Sequence, residues 1–491
     1  MKKTILILVV LALVVPAAAL AATEFSLGGF IHLGATWDST QNPKTSLIPI
    51  ARNNDQLFHH GHFIMTAQGS RFNFTIKGPK LWGATATGLI ELDFDGVTGD
   101  TRQSNTHSYV PRLRHAMFRL NWPETELLFG QYWGMFSEFA PEATGDAVFM
   151  YHGWTFQRTP QIRLTQKFAG AWTVAGAICK PYDPTANDTF FAGQTINPGQ
   201  IQSVSAGVEG QSSETPQLQG KLAYEKDLWG KAAFYGRPRG FVAQVNGAWQ
   251  RTRYHANTAV SGQNTFGQNT YGVANVFQTS QQNLDPWAIQ GTLFIPVIPT
   301  HSNNLAGSAS ITAEYYIGQA VSFLGAAPDT DNSWLEFSGI RNVNGVAQLA
   351  YDRKLTNQYG GYLQGQYYFT NQWYLTAIWT FNRNYGFDQS QSALLAGQAG
   401  NPAGYKYASN NDQTKLWSEY DLTLWYRPIE AIKFGLTYAY ERTDYLQKLN
   451  NPSLAATPGG VAAGQAQGQP NAGSKDFGES HRLQFVAFMF F

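Results

Sequence analysis

The chain ends in His481-Arg482-Leu483-Gln484-Phe485-Val486-Ala487-Phe488-Met489-Phe490-Phe491. In an extended strand, the odd-numbered side chains from Leu483 onward share one face, whereas Arg482 and Gln484 lie on the other face. An apolar face that runs to a terminal phenylalanine is typical of a closing barrel strand, with lipid on one side and the lumen on the other. The stretch therefore predicts an all-β transmembrane fold. The alternative interpretation is the buried last strand of a soluble sandwich.

The start of the chain has the three regions of a secretory signal peptide. Lys2 and Lys3 form a short basic region, residues 5–15 are apolar, and Ala19-Leu20-Ala21 is a small-x-small cleavage site. We therefore expect residues 1–21 to be removed and residues 22–491 to form the mature domain. No later stretch approaches the roughly 18 consecutive apolar residues that a transmembrane helix needs. An exported chain of this kind is periplasmic, secreted or an outer-membrane barrel.

The composition favours the barrel. Charged residues make up 14% of the chain, below the roughly 25% of an ordinary soluble domain. The mean hydropathy is nevertheless −0.28, because uncharged polar residues and 48 glycines take their place. A wall that is apolar towards lipid and polar towards the lumen has this composition. The single Cys179 excludes an intramolecular disulfide, and the net charge of +1 gives no support for nucleic-acid binding.

Amphipathic strands recur along the mature chain, joined alternately by short turns and long polar connections, as in an outer-membrane barrel. The stretch 343–351 breaks this alternation. This stretch belongs to a hairpin within a loop, or it spans the membrane together with a second strand that the pattern does not show. In the second case the barrel would have eighteen strands. The alternation otherwise predicts about sixteen antiparallel strands, which begin near Phe25, Phe63, Thr85, Arg112, Glu126, Gln161, Trp172, Leu218, Ala232, Trp287, Ser308, Gly361, Trp373, Leu416, Ile432 and Arg482. The aromatic residues beside the short turns predict an interfacial girdle of Trp82, Trp122, Trp172, Trp229, Trp373 and Tyr426.

Several short stretches resemble bacterial trimeric porins, and within that group the DcaP-like porins. The stretches are Gln68-Gly69-Ser70-Arg71-Phe72, Arg112-Leu113-Arg114-His115-Ala116, Leu128-Phe129-Gly130-Gln131-Tyr132-Trp133, Glu314-Tyr315-Tyr316-Ile317-Gly318-Gln319 and Gly360-Gly361-Tyr362-Leu363-Gln364. The resemblance implies a sixteen-stranded homotrimer in the bacterial outer membrane. It also implies small hydrophilic solutes and membrane lipids as partners, and uptake of dicarboxylates is associated with some members. The terminal Phe491 resembles the aromatic residue that the assembly machinery reads in outer-membrane proteins.

The resemblance also implies that the loop after the fifth strand folds inward and narrows the lumen. This constriction loop would be residues 133–155, whose carboxylates are Glu138, Glu142 and Asp146. The arginines on the strands around it are Arg71, Arg112, Arg114, Arg158 and Arg163. Because rings of charged side chains select among permeants, we expect Arg112, Arg114 and Arg163 to form a basic strip that faces the loop carboxylates. The alternative is that the arginines form ion pairs that affect only folding.

Acidic residues on other strands complicate a simple preference for anions. Glu91, Asp93, Glu419 and Asp421 alternate with apolar residues and are therefore further candidates for the lumen. They could pair with basic residues of neighbouring strands.

The sequence lacks the common catalytic motifs, namely G-x-S-x-G, H-E-x-x-H and a phosphate-cradling loop, so we expect no enzyme and no cofactor. His59, His60 and His62 form a cluster, and residues 329–332 are rich in oxygen ligands. Both are more typical of solvated loops than of a metal site. The expected function is diffusion of small hydrophilic solutes, with anions such as dicarboxylates as the favoured solutes. The alternatives are a non-conducting surface scaffold or adhesin and a barrel that encloses an electron-transfer partner.

Overall fold

The computed structural model describes residues 23–40, 53, 60–96, 110–143, 153–181, 208–209, 213–254, 276–278, 282–324, 333–343, 346–386, 414–445 and 477–491. The predicted signal peptide and Asp146 lie outside the described residues. Two 3-10 helices, Met135–Ser137 and Val321–Leu324, interrupt the strands. No helix within the described ranges is long and apolar enough to cross a membrane.

Sixteen antiparallel strands form one closed barrel, as predicted. They are β1 (Glu24–Asp38), β2 (Arg71–Leu81), β3 (Ala84–Gly96), β4 (Val110–Asn121), β5 (Thr125–Trp133), β6 (Arg158–Phe168), β7 (Trp172–Cys179), β8 (Gln217–Lys226), β9 (Phe241–Trp249), β10 (Trp287–Ile298), β11 (Ala309–Gln319), β12 (Asn357–Tyr368), β13 (Trp373–Tyr385), β14 (Thr414–Ile429), β15 (Ile432–Tyr445) and β16 (Phe477–Phe490). Each strand pairs with the next, and β16 pairs with β1 to close the barrel. The additional strand His62–Thr66 pairs with β1 on the same edge as β2, so it continues β2 beyond a break at residues 67–70.

Along most of each strand, the side chains alternate between the outer wall and the lumen. On β6, Ile162 and Leu164 are 52% and 53% exposed on the outside, whereas Gln161 and Arg163 are 4% and 7% exposed on the inside. Because every backbone group of a closed barrel pairs with a neighbouring strand, the wall leaves no unpaired edge in the membrane. The outer wall is therefore apolar and the inner wall is polar, as the composition requires.

The two ends of the barrel differ in their connections. One end carries tight turns, such as the one between β2 and β3, and we call it the short-turn end. Both the start of β1 and Phe491 lie there. Trp82, Trp229 and Trp373 are exposed at this end, and Trp373 stacks on Tyr426 with 4.2 Å between the ring centroids. This arrangement matches the predicted aromatic girdle.

The opposite end, which we call the long-loop end, carries small sheets outside the barrel. Strands Ser333–Val343 and Val346–Leu355 form a hairpin, and Val276–Gln278 pairs with it in parallel. Strands Val208–Glu209, Thr252–Tyr254 and Gln282–Leu284 form a second small sheet. The ambiguous stretch 343–351 thus belongs to a loop hairpin, and a count of eighteen barrel strands is not needed.

One predicted barrel strand is wrong. The sequence predicts a strand from Ala232, but Ala232–Phe234 pairs only with Arg237–Arg239, and β9 begins at Phe241. Tyr235 and Gly236 connect the two short strands with φ of 50° and 73°. Positive φ at both residues is the geometry of a two-residue type I′ turn, which suits a twisted hairpin. We call residues 232–239 the inner hairpin, because its backbone folds into the barrel instead of spanning it.

Candidate pore lumen

The loop after β5 folds into the lumen and lies against the wall. Its described residues, 134–143 and 153–157, are named the inner loop below. Met135 N donates to Gln219 Oε1 on β8 at 2.9 Å. Asn246 Nδ2 on β9 donates to Met135 O, and Gln290 Nε2 on β10 donates to Phe136 O, both at 3.2 Å. Uncharged amide side chains of the wall thus satisfy the backbone of the inner loop.

The inner loop continues across the next strands. Tyr362 Oη on β12 donates to Phe139 O at 2.6 Å, and Gly153 N donates to Thr380 Oγ1 on β13 at 2.6 Å. Phe136, Phe139 and Trp154 are almost completely buried. The described part of the inner loop therefore lies against the inner wall formed by β8–β13.

Glu142 fixes the far end of this segment. Its carboxylate accepts hydrogen bonds from Lys433 Nζ at 2.5 Å, Tyr374 Oη at 2.6 Å and Gln366 Nε2 at 2.5 Å. Burial alone would raise the pKa of the Glu142 carboxyl, but the charge of Lys433 and these hydrogen bonds hold the pKa below its ordinary value of 4.5. Glu142 is thus an ionised anchor of the inner loop.

The structure does not bring the described loop carboxylates into contact with the predicted arginine strip. Glu138 pairs with Lys221 on β8 at 2.5 Å, and Glu142 pairs with Lys433 on β15. The two lysines were not among the predicted site residues. Each is a basic residue on the polar face of an amphipathic strand, and that position is the signal in the sequence that could have pointed to them.

Three of the predicted arginines lie on β2 and β4, the two strands that flank β3 and its carboxylates. Arg112 contacts Asp93 at 2.6 Å and Asp95 at 3.1 Å, and Arg114 contacts Glu91 at 2.6 Å and Asp93 at 2.7 Å. Arg71 on β2 lies over the ring of Phe30 at 5.2 Å. We call the four arginines Arg71, Arg112, Arg114 and Arg158 the basic wall.

Arg158 completes the basic wall from the start of β6. Its guanidinium lies over the ring of Trp133 at 5.3 Å, and Arg114 lies over the same ring at 5.8 Å. The buried Nη1 of Arg158 has no hydrogen-bond partner among the described residues. The basic wall thus holds four guanidinium groups against the three carboxylates Glu91, Asp93 and Asp95.

Arg163, the remaining predicted arginine, lies apart from the carboxylates of β3. Its Nη2 is 3.4 Å from Glu126 on β5, which also pairs with Arg119 at 3.0 Å. Both guanidinium groups lie over the ring of Tyr132, at 5.7 Å and 5.1 Å. Arg163 therefore extends the positive charge of the inner wall away from the basic wall.

An acidic cluster lies on β14, β15, β16 and β1. Arg482 contacts Asp38 at 2.7 Å and Glu441 at 3.1 Å, and Glu419 and Asp421 lie beside them on β14. In a circle of sixteen strands, β14 lies opposite β6, whereas β1 adjoins β2 of the basic wall. The side chains of Asp38 and Glu441 are only 2% and 0% exposed, so their charge is withdrawn from the open path.

Among solved structures, the fold is similar to the outer membrane channel DcaP of Acinetobacter baumannii, with a TM-score of 0.55 and 14% identity over 96% of this chain and 98% of that chain. It is also similar to an anion-selective porin from Comamonas acidovorans, with a TM-score of 0.48 and 10% identity over 96% of this chain and 100% of that one. OmpF of Salmonella typhi matches with a TM-score of 0.44 and 10% identity over 96% and 98% of the two chains. No family model matches the sequence, and no curated protein matches it. The chain thus has the fold of the DcaP channel, a bacterial outer-membrane porin, which confirms the predicted barrel architecture.

The candidate metal sites gain no support. The described part of the chain holds no group of three or more His, Cys, Asp or Glu residues that could bind a metal ion. His59 and residues 329–332 lie outside the described residues, and His60 is exposed. That the chain needs no metal or cofactor and is not an enzyme stays a prediction.

Proposed function

We propose that the chain is a homotrimeric, non-enzymatic porin that lets small hydrophilic solutes diffuse across the outer membrane and favours anions such as dicarboxylates. The solute path runs past the basic wall, because the described part of the inner loop lies against the inner wall formed by β8–β13. Guanidinium groups suit carboxylates as ligands, since their planar fork matches the two oxygens of a carboxylate.

The observation that carries this proposal is the excess of guanidinium groups over carboxylates on the basic wall. Arg158 is stacked on Trp133 without a carboxylate partner among the described residues, and the side chain of Arg112 is 28% exposed. The carboxylates of the acidic cluster are almost completely buried. A solute that passes along the basic wall therefore meets the partly exposed guanidinium of Arg112 and the net positive charge around it, which favours anions.

The test is the reversal potential of the purified protein in a planar bilayer under a salt gradient. Conductance steps in groups of three and an anion-selective reversal potential are expected. Arg158→Ala should shift the reversal potential towards cations, because it removes an uncompensated charge and leaves the ion pairs of Arg112 and Arg114 intact. The matched control is Arg383→Ala on β13, whose guanidinium is exposed on the outer wall over Tyr359.

Each part of the proposal can fail separately. A folded barrel that gives no conductance steps contradicts the porin and favours the scaffold alternative. Conductance with a cation-selective reversal potential contradicts only the preference for anions. Single steps, together with a monomeric mass in native mass spectrometry, contradict only the trimer.

A further inference from the structure

The inner hairpin enters the lumen from the short-turn end, between β8 and β9. Ala232 and Ala233 are fully buried, and Ser310 Oγ on β11 donates to Ala233 O at 3.0 Å. At the base of the hairpin, the backbones of Lys231 and Thr300 exchange two hydrogen bonds of 2.9 Å and 2.6 Å. These contacts hold the inner hairpin against the inside of the wall.

The tip of the inner hairpin contacts the inner loop, which enters from the opposite end. Tyr235 Oη donates to Ala140 O at 2.8 Å and lies 3.2 Å from Pro141 O. The ring of Phe234 packs against Phe139 with 5.3 Å between centroids. An aromatic pair and a hydrogen bond to the backbone thus join two segments that are far apart in the sequence.

Arg239 strengthens this junction. Its guanidinium lies over the rings of Phe139 and Phe234, at 4.6 Å and 4.8 Å. Glu225 on β8 holds the guanidinium through two hydrogen bonds of 3.0 Å and 2.9 Å. The bidentate carboxylate of Glu225 fixes the plane of the guanidinium. The guanidinium can therefore make cation–π contacts with the rings of Phe139 and Phe234 at the same time.

Tyr235 supports the inner loop and is itself partly exposed. Its neighbours Phe234 and Gly236 are half-buried, whereas 37% of the surface of Tyr235 is exposed. Its φ of 50° places Tyr235 at the first central position of the type I′ turn, and the hydrogen bond to Ala140 O fixes the hydroxyl end of the side chain. The opening beside Ala140 and Pro141 is therefore bounded by the inner hairpin as well as by the inner loop.

We propose that the inner hairpin is a brace that sets the position of the inner loop, with Tyr235 as the positioning residue, so that two segments from opposite ends of the barrel define the narrowest opening. The consequence for conductance rests on the proposed porin function. The bracing itself does not, and it can be measured on the folded barrel without any current.

The first test is the reaction of a cysteine at position 140 with a maleimide. The parent protein carries Ala140→Cys and Cys179→Ala, and the backbone acceptor of residue 140 is unchanged. Tyr235→Phe removes one hydroxyl, and we expect labelling to become about fivefold faster, which corresponds to about 1 kcal/mol. The matched control is Tyr367→Phe, because Tyr367 lies on the outer wall at the short-turn end, away from the inner loop.

The second test is single-channel recording of Tyr235→Phe and Phe234→Ala, with folding checked by the heat-dependent shift of the barrel on gels. Larger conductance with more current noise is expected in both variants and not in Tyr367→Phe. Unchanged labelling and unchanged current in both hairpin variants would overturn the brace. If the parent protein does not conduct, the porin proposal fails, and the labelling rates alone decide on the brace.

Discussion

The contact between Glu142 and Lys433 shows how a buried ion pair orders the inner loop. Both side chains are largely removed from water, and Tyr374 and Gln366 satisfy the other lone pairs of the carboxylate. Breaking such a pair by neutralising one partner costs about 3–5 kcal/mol, because the other charge stays buried without compensation. The more exposed pair between Glu138 and Lys221 should contribute about 1 kcal/mol or less.

The lowered pKa of Glu142 predicts the direction of a pH dependence. A depressed carboxyl pKa contributes stability that is fully present above the unfolded value of 4.5 and is lost as the pH falls through the lower folded value. We expect single-channel noise to be constant at neutral and mildly acidic pH and to rise only in strong acid. The Glu142→Gln variant should show raised current noise already at neutral pH. The current noise of the control variant Glu138→Gln should equal that of the parent protein. Equal noise in the two variants would show that Glu142 does not anchor the loop.

The face on which each arginine lies could be predicted, but its partner could not. Period-two alternation assigns Arg112 and Arg163 to the inner wall without knowledge of any neighbouring strand. The pairing of Arg112 with Asp93 depends on the register between β3 and β4, which also contains an irregularity between Glu91 and Leu92. Such a bulge shifts the alternation by one residue, and as a result Arg114 and His115 are both buried. The sequence carries no visible signal for this shift.

At the scale of single strands, Gly130 determines whether β4 and β5 can pair. It has φ of 115°, and a Cβ at this position would lie 2.3 Å from the carbonyl oxygen of Ala116. Gly130→Ala is expected to destabilise the barrel by about 1–3 kcal/mol through backbone strain. The steric clash between the new Cβ and the carbonyl oxygen of Ala116 adds to this destabilisation. Gly176 on β7 is the matched control, because a Cβ there has nothing within 4 Å.

This prediction is checked by the urea concentration at which half of the protein loses its heat-dependent gel shift. Gly130→Ala should lower the midpoint, and Gly176→Ala should leave it near that of the parent protein. An unchanged midpoint for Gly130→Ala would mean that β4 and β5 can adjust their register without loss of stability.

The inner hairpin could not be predicted from the alternation of short turns and long connections, which instead predicts a barrel strand from Ala232. Its two strands have three residues each, which is too few to show an alternation of apolar and polar side chains. The spacing of Ala232 and Phe234 is the same as at the start of an amphipathic barrel strand. The available signals are chemical. Pro238 is unsuited to a central strand because it lacks a backbone donor, and Tyr235-Gly236 is a plausible two-residue turn. Why the segment folds inward depends on tertiary contacts with Phe139 and Ser310, which no local pattern encodes.

At the scale of the whole molecule, closure of the barrel could be predicted because amphipathic strands are predicted near Phe25 and near Arg482, on either side of all the others. β1 and β16 pair along Phe30–Asp38 and Arg482–Phe490. The terminal residue adds one more pair, since Gly29 and Phe491 exchange two backbone hydrogen bonds of 3.2 Å. The backbone of Phe491 thus takes part in closing the barrel, in addition to the role of its side chain that the sequence predicts in assembly.

These two roles of Phe491 can be separated. Deletion of Phe491 removes both backbone hydrogen bonds at the seam, each of which contributes about 1 kcal/mol. Phe491→Ser retains them and removes only the ring, which is 47% exposed and lies 5.8 Å from Phe72. We expect the deletion to lower stability after refolding in detergent and also to lower the amount assembled in cells. Phe491→Ser should reduce assembly in cells while it refolds in detergent almost like the parent protein. Equal loss by both variants in detergent would show instead that the ring, and not the backbone pair, stabilises the closure between the first and last strands.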